Sequence, residues 1–422
     1  MSRSQIIGQG GLVQTANRVV FALVMLAAAI IGVAPVVAAT YVLSPDGLGD
    51  YPTIQAAVDA AVDGDVIELT DGTFMGDGNR DIVVPSENIT IRSQSGDPTM
   101  CGVNCGGAQA DEHRGFHFTS TGSGVARLEG VGIIGGFTTT SGAGIWIDGG
   151  DAEIVDCMLY ACHVGASRSE GGGGIAVTSL ADPTLTGCLI TGCSGSYGGG
   201  MRVFGAGGTY ESCTFNDNTA SEIGGGVYVS AVGTFTMTSC EITSNTADRA
   251  GGVRLSGGTP ELVDCVVARN WAAEGHSGGV WLQSGALTNC TIVDNLSTQW
   301  GGNITCAAGS GVISHCIVAF ADAGDGIYAD DPGNAPVMNC CDVYGNVGDD
   351  YGGSIDDQTG LNGNISVDPE LCGLGIADYR LFDTSPCLPG GNDCMVLLGA
   401  LGIGCDSPVE PLSWGGIKAL YR

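Results

Sequence analysis

The residues best suited to chemistry in this 422-residue chain are tryptophans, tyrosines and arginines that recur at one position of a repeated phrase. Each stands between two apolar residues that follow a glycine pair, as in Gly225-Gly226-Val227-Tyr228-Val229. Such side chains provide large, rigid and partly polar contact area. The column predicts an exposed binding stripe for an extended glycan or a partner protein. Its members are Trp146, Arg202, Tyr228, Arg254, Trp281 and Tyr328, with Ala176 and Thr305 between them.

The alternative is that these are ordinary outward strand residues covered by loops. Catalysis would need a different arrangement, since general acid–base chemistry requires groups that converge on one bond. The candidate carboxylates fall at different offsets in successive repeats, and the histidines of the repeat region occur singly. The sequence therefore predicts no catalytic residue and no carboxylate–basic cluster on neighbouring repeats. The carboxylates considered are Glu211, Asp217, Glu241, Glu261 and Asp294.

No metal site is predicted either. His113 and His117 lie in a strand pattern, where this spacing does not direct both rings at one ion. Acidic loops at 349–350 and 356–357 could attract calcium, but they lack the spacing of known calcium-binding loops. We therefore expect no cofactor.

The elements that must position the stripe are short strands repeated at a fixed period. Within each repeat, apolar residues alternate at i and i+2, which is strand periodicity, and glycine interrupts every unit. A constant period of this length is typical of a solenoid. The sequence thus predicts an all-β, single-stranded parallel β-helix. The cysteines that mark the repeat come at intervals of 24 to 31 residues, at Cys157, Cys188, Cys213, Cys240, Cys265, Cys290, Cys316 and Cys340.

Asparagine recurs five residues after the cysteine, at Asn218, Asn245, Asn270 and Asn295. Stacked amides can donate to and accept from one another along the solenoid axis, so this column predicts an asparagine ladder that fixes the register. Two earlier repeats carry Cys162 and Cys193 in the asparagine position.

The main cysteine column is interpreted as a stack of buried free thiols, because cysteine packs as a small apolar residue. Cys162 with Cys193 is the best candidate for a disulfide between coils, and Cys101 with Cys105 for a local one. Two more disulfides are expected near the C-terminus, with a pairing that the sequence does not reveal. The cysteines concerned are Cys372, Cys387, Cys394 and Cys405.

Composition and the N-terminus indicate the compartment. The 45 acidic residues against 14 basic ones exclude a nucleic-acid partner, which would need a basic surface. Arg3 and Arg18, an apolar run over 19–34 and Val37-Ala38-Ala39 form the pattern of a cleavable signal peptide. An uncleaved membrane anchor is the alternative. We expect a secreted or surface-displayed protein, and 18 cysteines suit an oxidising compartment.

One helix is predicted, over 51–61, where Ile54, Ala57, Val58 and Ala61 share a face. It would cap the N-terminal end of the solenoid. The segment YPTIQAAVDAAVDGDVIELTDGTF resembles the N-terminal segment of the pectin-lyase-like superfamily. The resemblance extends over about Thr40 to Cys405 and implies a right-handed β-helix with a cap helix. That superfamily includes polysaccharide lyases and hydrolases and many proteins without assigned activity, so the resemblance is specific for fold only.

The expected organisation has five parts. These are a signal peptide (1–39), an N-terminal cap with the first coils (40–115), β-helix repeats (116–348), C-terminal coils with a disulfide-rich cap (349–406) and a tail (407–422). The tail, with LSWGGIKALYR, is either a sorting, anchoring or docking signal or a packed terminal element. The expected function is non-catalytic adhesion, or binding of a polysaccharide or cell-surface partner, by a monomer. The alternatives are a polysaccharide lyase or hydrolase and a purely architectural envelope protein.

Overall fold

A computed structural model of the chain describes residues 38–85, 87–120, 124–165, 170–309 and 311–406. The predicted signal peptide, apart from its last two residues, and the tail lie outside the described residues. Among the residues described, no helix is long and apolar enough to cross a membrane.

From Thr40 onward the chain winds into successive coils that contribute strands to three parallel sheets, called A, B and C. Equivalent residues stand in register from coil to coil, as Met237 with Leu262 in sheet A and Ile242 with Val267 in sheet B. This is the predicted parallel β-helix, and it is right-handed.

Sheet A has twelve strands and sheet B has eleven. The strands of sheet A are Thr40–Leu43, Val66–Leu69, Thr90–Ser93, Ala126–Glu129, Ala152–Val155, Thr184–Thr186, Gly208–Glu211, Thr234–Thr238, Thr259–Val263, Ala286–Thr288, Val312–Ser314 and Val337–Asn339. The strands of sheet B are Gly72–Met75, Cys101–Asn104, Gly132–Ile134, Met158–Tyr160, Leu189–Thr191, Thr214–Asn216, Glu241–Thr243, Val266–Ala268, Thr291–Val293, Ile317–Ala319 and Asp342–Tyr344.

Sheet C has 17 strands, because most coils enter it twice, before and after a bend at the glycine pair. Before the bend lie Phe137–Thr138, His163–Val164, Ser194–Tyr197, Thr219–Ile223, Thr246–Arg249 and Trp271–Gly275. After it lie Ile82–Val84, Phe116–Thr119, Ile145–Asp148, Ile175–Thr178, Met201–Phe204, Val227–Ser230, Val253–Ser256, Val280–Leu282 and Tyr351–Gly353. Two longer strands run through the bend, Leu296–Cys306 and Ala323–Ala329.

The predicted cap helix is confirmed as Ile54–Ala60, with buried Ile54, Ala57 and Val58. Its N-terminus is capped by Thr53, whose hydroxyl accepts a hydrogen bond from the Ala56 amide. The Gln55 side chain accepts from the Val83 amide and donates to the Val83 carbonyl. Because Val83 lies in the first strand of sheet C, the helix satisfies backbone groups that an open sheet edge would expose.

The main cysteine column is confirmed as buried and free from Cys157 to Cys316. Several thiols donate to a carbonyl of the preceding coil, as Cys240 does to Tyr210 and Cys290 to Leu262. Burial raises the pKa of the Cys290 thiol well above its ordinary value, which disfavours the reactive thiolate. The eighth member is Cys341, not Cys340 as the spacing suggested. Cys340 adopts a left-handed conformation at the turn and joins a disulfide instead.

The other cysteine predictions are partly wrong. Cys101 and Cys105 are both free. Cys101 begins an extended strand and Cys105 follows its last residue, so they lie too far apart for a disulfide. Cys162 and Cys193 are also free; each thiol is directed at a carbonyl of the preceding coil. Two C-terminal disulfides do form, Cys340–Cys394 and Cys372–Cys405, while Cys387 remains free.

Thiol counting checks this assignment. With four of the 18 cysteines in two disulfides, 14 remain free and all 14 are buried. We expect a thiol reagent to leave the native protein almost unmodified and to label 14 sites after unfolding without reductant. A count of ten would instead indicate that both Cys101–Cys105 and Cys162–Cys193 are oxidised.

The asparagine ladder is confirmed. Each side-chain amide donates to the oxygen of the next at 3.0 Å from Asn218 to Asn295, and the ladder continues through Asn303 to Asn346. Asn303 was missed because it lies outside the repeat position, which Ala321 occupies in that coil. The glycine pairs pack against this ladder: a Cβ on Gly226 would come within 2.9 Å of the Asn245 amide. Glycine at the bend thus makes room for the ladder.

Residues 371–405, called the strap, fold back over the outer face of sheet B instead of covering only the last coil. Their three strands are Leu371–Gly373, Asp378–Phe382 and Ile403–Cys405. Apolar residues on the outer face of sheet B pack against the strap and form a second core, separate from the one inside the coils. Its fully or largely buried members are Val266, Ala268, Val293, Ile317, Ala319, Tyr379, Leu381, Cys387 and Leu398.

Candidate functional site

The stripe residues stand in one column on the outer face of sheet C. Neighbouring members are direct partners across adjacent strands, as Arg202 is with Tyr228, Tyr228 with Arg254, and Arg254 with Trp281. Thr305 and Tyr328 continue the column after Trp281. The spacing of the internal repeats therefore placed every member of the stripe in the correct coil. The column extends two coils before Trp146, through His117 to Val83.

The side chains of this column cover one another, so that each is buried or only partly open to solvent. His117 stacks on Trp146 with ring centroids 4.4 Å apart. The Arg254 guanidinium lies 4.8 Å from the Tyr228 ring centroid and 5.4 Å from that of Trp281. Arg202 and Trp281 are each only 8% exposed. The stripe consequently presents ring edges more than ring faces, which differs from the open stripe that alternation alone predicts.

Two aromatic residues of this surface were not identified from the sequence. His276 stacks on Trp281 and meets Trp300 edge to face, with centroids 4.1 Å apart in both pairs, and Trp300 stacks on Tyr328. Both residues lie outside the column position, in coils where the segment before the stripe strand has an irregular register. No spacing signal could have found them. His117, by contrast, follows from extending the register by one coil.

Several polar atoms of the stripe surface lack an internal partner. Within the described residues, no hydrogen bond is formed by Nε and Nη1 of Arg254, Nε1 of Trp281, Nδ1 of His276 or Oε1 of Gln283. Burying an unpaired polar group costs about 1–3 kcal/mol. Four such side chains in two adjacent coils are unusual, because nearly all buried polar groups in proteins are paired.

The histidines of this surface are neutral at physiological pH. Burial, helped by nearby Arg249, lowers the pKa of His276 to about 4. Burial and Arg114 likewise lower the pKa of His117. A neutral imidazole carries one donor and one acceptor nitrogen, so both rings can hydrogen-bond to hydroxyl groups without attracting anions.

A second candidate site is a groove between sheet B and the strap, with a volume of about 670 Å³. Glu241, Arg269 and Asp294 come to this surface from three successive coils, and Arg269 Nε lies 3.1 Å from an Asp294 oxygen. Tyr379 closes the groove from the strap and is 5% exposed. Burial, with Asp294 and Glu241 nearby, raises the pKa of the Tyr379 hydroxyl.

The expectation that no carboxylate–basic cluster lies on neighbouring coils is therefore wrong. A second cluster lies on sheet A, where Arg127 contacts Glu129 and Glu153, each at 2.9 Å. Arg269 and Asp294 each stand four residues after the repeat cysteine, so the register of the repeats could have identified this pair, whereas Glu241 stands only one residue after it. In the part of the chain that the structure describes, no three metal-binding side chains converge.

Comparisons with known proteins agree on the fold. Residues 101–267 match the family model of the right-handed β-helix region. The chain has no significant match among curated proteins. Its structure is similar to that of pectate lyase Pel9A, with a TM-score of 0.52 and 12% identity over 87% of this chain and 96% of that one. A mutant of the PL6 family alginate lyase AlyGC aligns with a TM-score of 0.42 and 13% identity over 86% of this chain and 53% of that one. At such identities the likeness concerns the fold alone.

Proposed function

We propose that this chain, whose fold is that of the pectin-lyase-like right-handed parallel β-helix proteins, is a secreted or surface-displayed scaffold that binds a glycan. The binding surface is the stripe of Trp146, Arg202, Tyr228, Arg254, Trp281 and Tyr328. The proposal depends on one observation, the unpaired polar atoms of Arg254, Trp281, His276 and Gln283. Two disulfides near the C-terminus are consistent with an oxidising, extracellular location.

The chemistry of these atoms favours a neutral, hydroxyl-rich ligand. Arg254 and Trp281 supply donors, Gln283 supplies an acceptor, and a sugar hydroxyl can pair with either kind. The net charge of −31 repels a polyanion at long range. Since the ring faces are already stacked on one another, the ring edges and their hydrogen-bonding atoms would recognise the glycan.

Affinity electrophoresis in gels containing xylan, β-glucan or polygalacturonate tests the proposal. We expect retardation by a neutral glycan, and about tenfold weaker retardation for Arg254→Ala and for Trp281→Phe. Trp281→Phe keeps an aromatic ring at this position and removes the indole N–H together with part of the ring surface.

Trp271→Ala is the matched control, because Trp271 is exposed on sheet C outside the stripe column. If Trp271→Ala loses retardation and Trp281→Phe keeps it, an ordinary exposed aromatic residue binds the glycan and the stripe proposal fails. If none of the glycans retards the protein, the result favours the alternative of a purely architectural envelope protein.

A polysaccharide lyase is the second candidate, favoured by the cluster on sheet A. Arg127 could pair with a uronate carboxylate, while Glu129 or Glu153 accepts a proton. Release of unsaturated products from polygalacturonate or alginate, with and without calcium, distinguishes this candidate from binding alone. Turnover that is abolished in Arg127→Ala would replace the binding proposal.

A further inference from the structure

We propose that the groove between sheet B and the strap is a second carbohydrate site, which holds the end of a neutral oligosaccharide. It lies on a different sheet from the stripe and does not depend on it. The volume of about 670 Å³ is within the range of about 300–1,000 Å³ found for small-molecule sites. Its floor is formed by sheet B and one wall by the strap. The lining includes Asn216, Glu241, Val266, Arg269, Tyr379 and Arg380.

The first observation that indicates a ligand is the hydroxyl of Tyr379. The side chain is 5% exposed, and the hydroxyl forms no hydrogen bond within the described part of the chain. Buried tyrosine hydroxyls normally have a partner. A partner from outside the chain would have to come through the groove, because Tyr379 lines it.

The remaining polar groups offer both donors and acceptors. The Glu241 side chain is exposed at the groove, and its carboxylate forms no hydrogen bond or ion pair with any described residue. The Asn216 side-chain N–H donates to the Thr243 hydroxyl at 2.9 Å, which leaves the Asn216 amide oxygen as an acceptor. Since sugar hydroxyls donate and accept, a carbohydrate can satisfy all three groups.

Charge pairing within the groove disfavours an ionic ligand. Arg269 is paired with Asp294 at 3.1 Å, and Arg380 is held by both oxygens of Asp378 at 2.7 and 2.8 Å. An anion would have to break one of these pairs and also approach Glu241. The apolar surface of Val266, Ile376 and Leu401 suits the C–H face of a pyranose ring instead.

The groove continues onto the part of sheet B that the strap leaves uncovered. Asn216 and Thr243 belong to one outward column that also contains Thr191 and, one coil further, Tyr160. The ring of Tyr160 is 50% exposed. It lies three coils from Thr243, about 14 Å away. A longer oligosaccharide held in the groove would therefore reach Tyr160, whereas a disaccharide would not.

Isothermal titration calorimetry with neutral xylo- and gluco-oligosaccharides of increasing length tests the inference on the full chain. We expect Tyr379→Phe and Glu241→Gln each to weaken binding about tenfold, the effect of one lost hydrogen bond. Tyr160→Ala should weaken binding of long oligosaccharides only. Tyr379→Phe should leave the melting temperature unchanged or slightly higher, because the removed hydroxyl has no internal partner.

Tyr344→Phe is the matched control, on the same sheet and not part of the groove lining. Unchanged binding in Tyr379→Phe would overturn the inference. So would a preference for uronate oligosaccharides, or a loss in Tyr344→Phe equal to that in Tyr379→Phe. Trp281→Phe keeps the groove intact, so loss of short-oligosaccharide binding in that variant would show a single site at the stripe. If the stripe binds no glycan but the groove does, Tyr379→Phe should still weaken oligosaccharide binding.

Discussion

Replacing Asn270 with alanine should destabilise the central coils by about 3 kcal/mol or more. The Asn270 side chain accepts from the Asn245 backbone and side-chain amides and donates to the Ile242 carbonyl, all fully buried. The substitution removes these three bonds and the one that Asn270 donates to Asn295, and each buried group left without a partner costs about 1–3 kcal/mol. Because coils of a solenoid interact mainly with their neighbours, the loss should be largest around 242–270. Amide hydrogen exchange across these coils measures it directly.

Asn334→Ala is the control, since the Asn334 side chain bonds only to Asp330 at the surface. We expect Asn334→Ala to change the free energy of opening measured by amide hydrogen exchange by less than about 0.5 kcal/mol. Equal protection in Asn270→Ala and Asn334→Ala would show that water replaces the missing amide and that the ladder does not fix the register. A denaturation midpoint alone is less informative, because long repeat arrays can unfold in parts.

The internal columns were predictable because equivalent residues pack in the same way in every coil. A residue that points inward meets its equivalents directly above and below, so spacing alone places Cys240 over Cys213 and Asn245 over Asn218. The outward stripe followed from the same register. The burial of the stripe could not be predicted in this way, because Trp300 and His276, which pack against it, come from segments whose register is irregular. Register is thus a local property of the sequence, whereas exposure depends on what packs across the surface.

The strap and its groove could not be predicted because they depend on contacts distant in sequence. Arg269 donates to the Leu374 carbonyl across 105 residues, and the Ala400 amide donates to the Thr291 hydroxyl across 109. One sequence signal was available. In the coils that the strap covers, Val266, Ala268 and Ile317 make the outer face of sheet B apolar as well as the inner one, which indicates a covering element.

Removing one carboxyl under the strap should change how stability depends on pH. Asp342 is fully buried in the last strand of sheet B; its side chain accepts from the Val367 amide at 3.0 Å and from the Cys387 thiol at 3.2 Å. Burial, with Asp350 and Asp368 nearby, raises the pKa of Asp342 from 3.8 to about 7. The native state therefore binds a proton that the unfolded chain releases at lower pH.

This difference in pKa between the native and unfolded states fixes the direction in which stability changes with pH. The stabilisation by protonated Asp342 is complete below pH 4 and is lost as the pH rises to 7, at a cost of up to about 4 kcal/mol. The partly buried His276 acts in the opposite direction. Because the pKa of His276 is lowered to about 4, its contribution is present above pH 6.5 and is lost as the pH falls. The pH dependence of stability of the unmodified protein is therefore the sum of the contributions of Asp342 and the histidines.

Comparison with Asp342→Asn separates them. Asparagine keeps an acceptor for the Val367 amide and does not titrate, so the free energy of unfolding of the variant minus that of the original chain should rise by up to about 4 kcal/mol between pH 4 and 7. Hydrogen exchange or limited proteolysis of the strap at pH 5 and pH 8 measures this difference. A pH-independent difference for Asp342→Asn would mean that Asp342 is charged in the native state, with the strap held over it by the two disulfides and the apolar contacts alone.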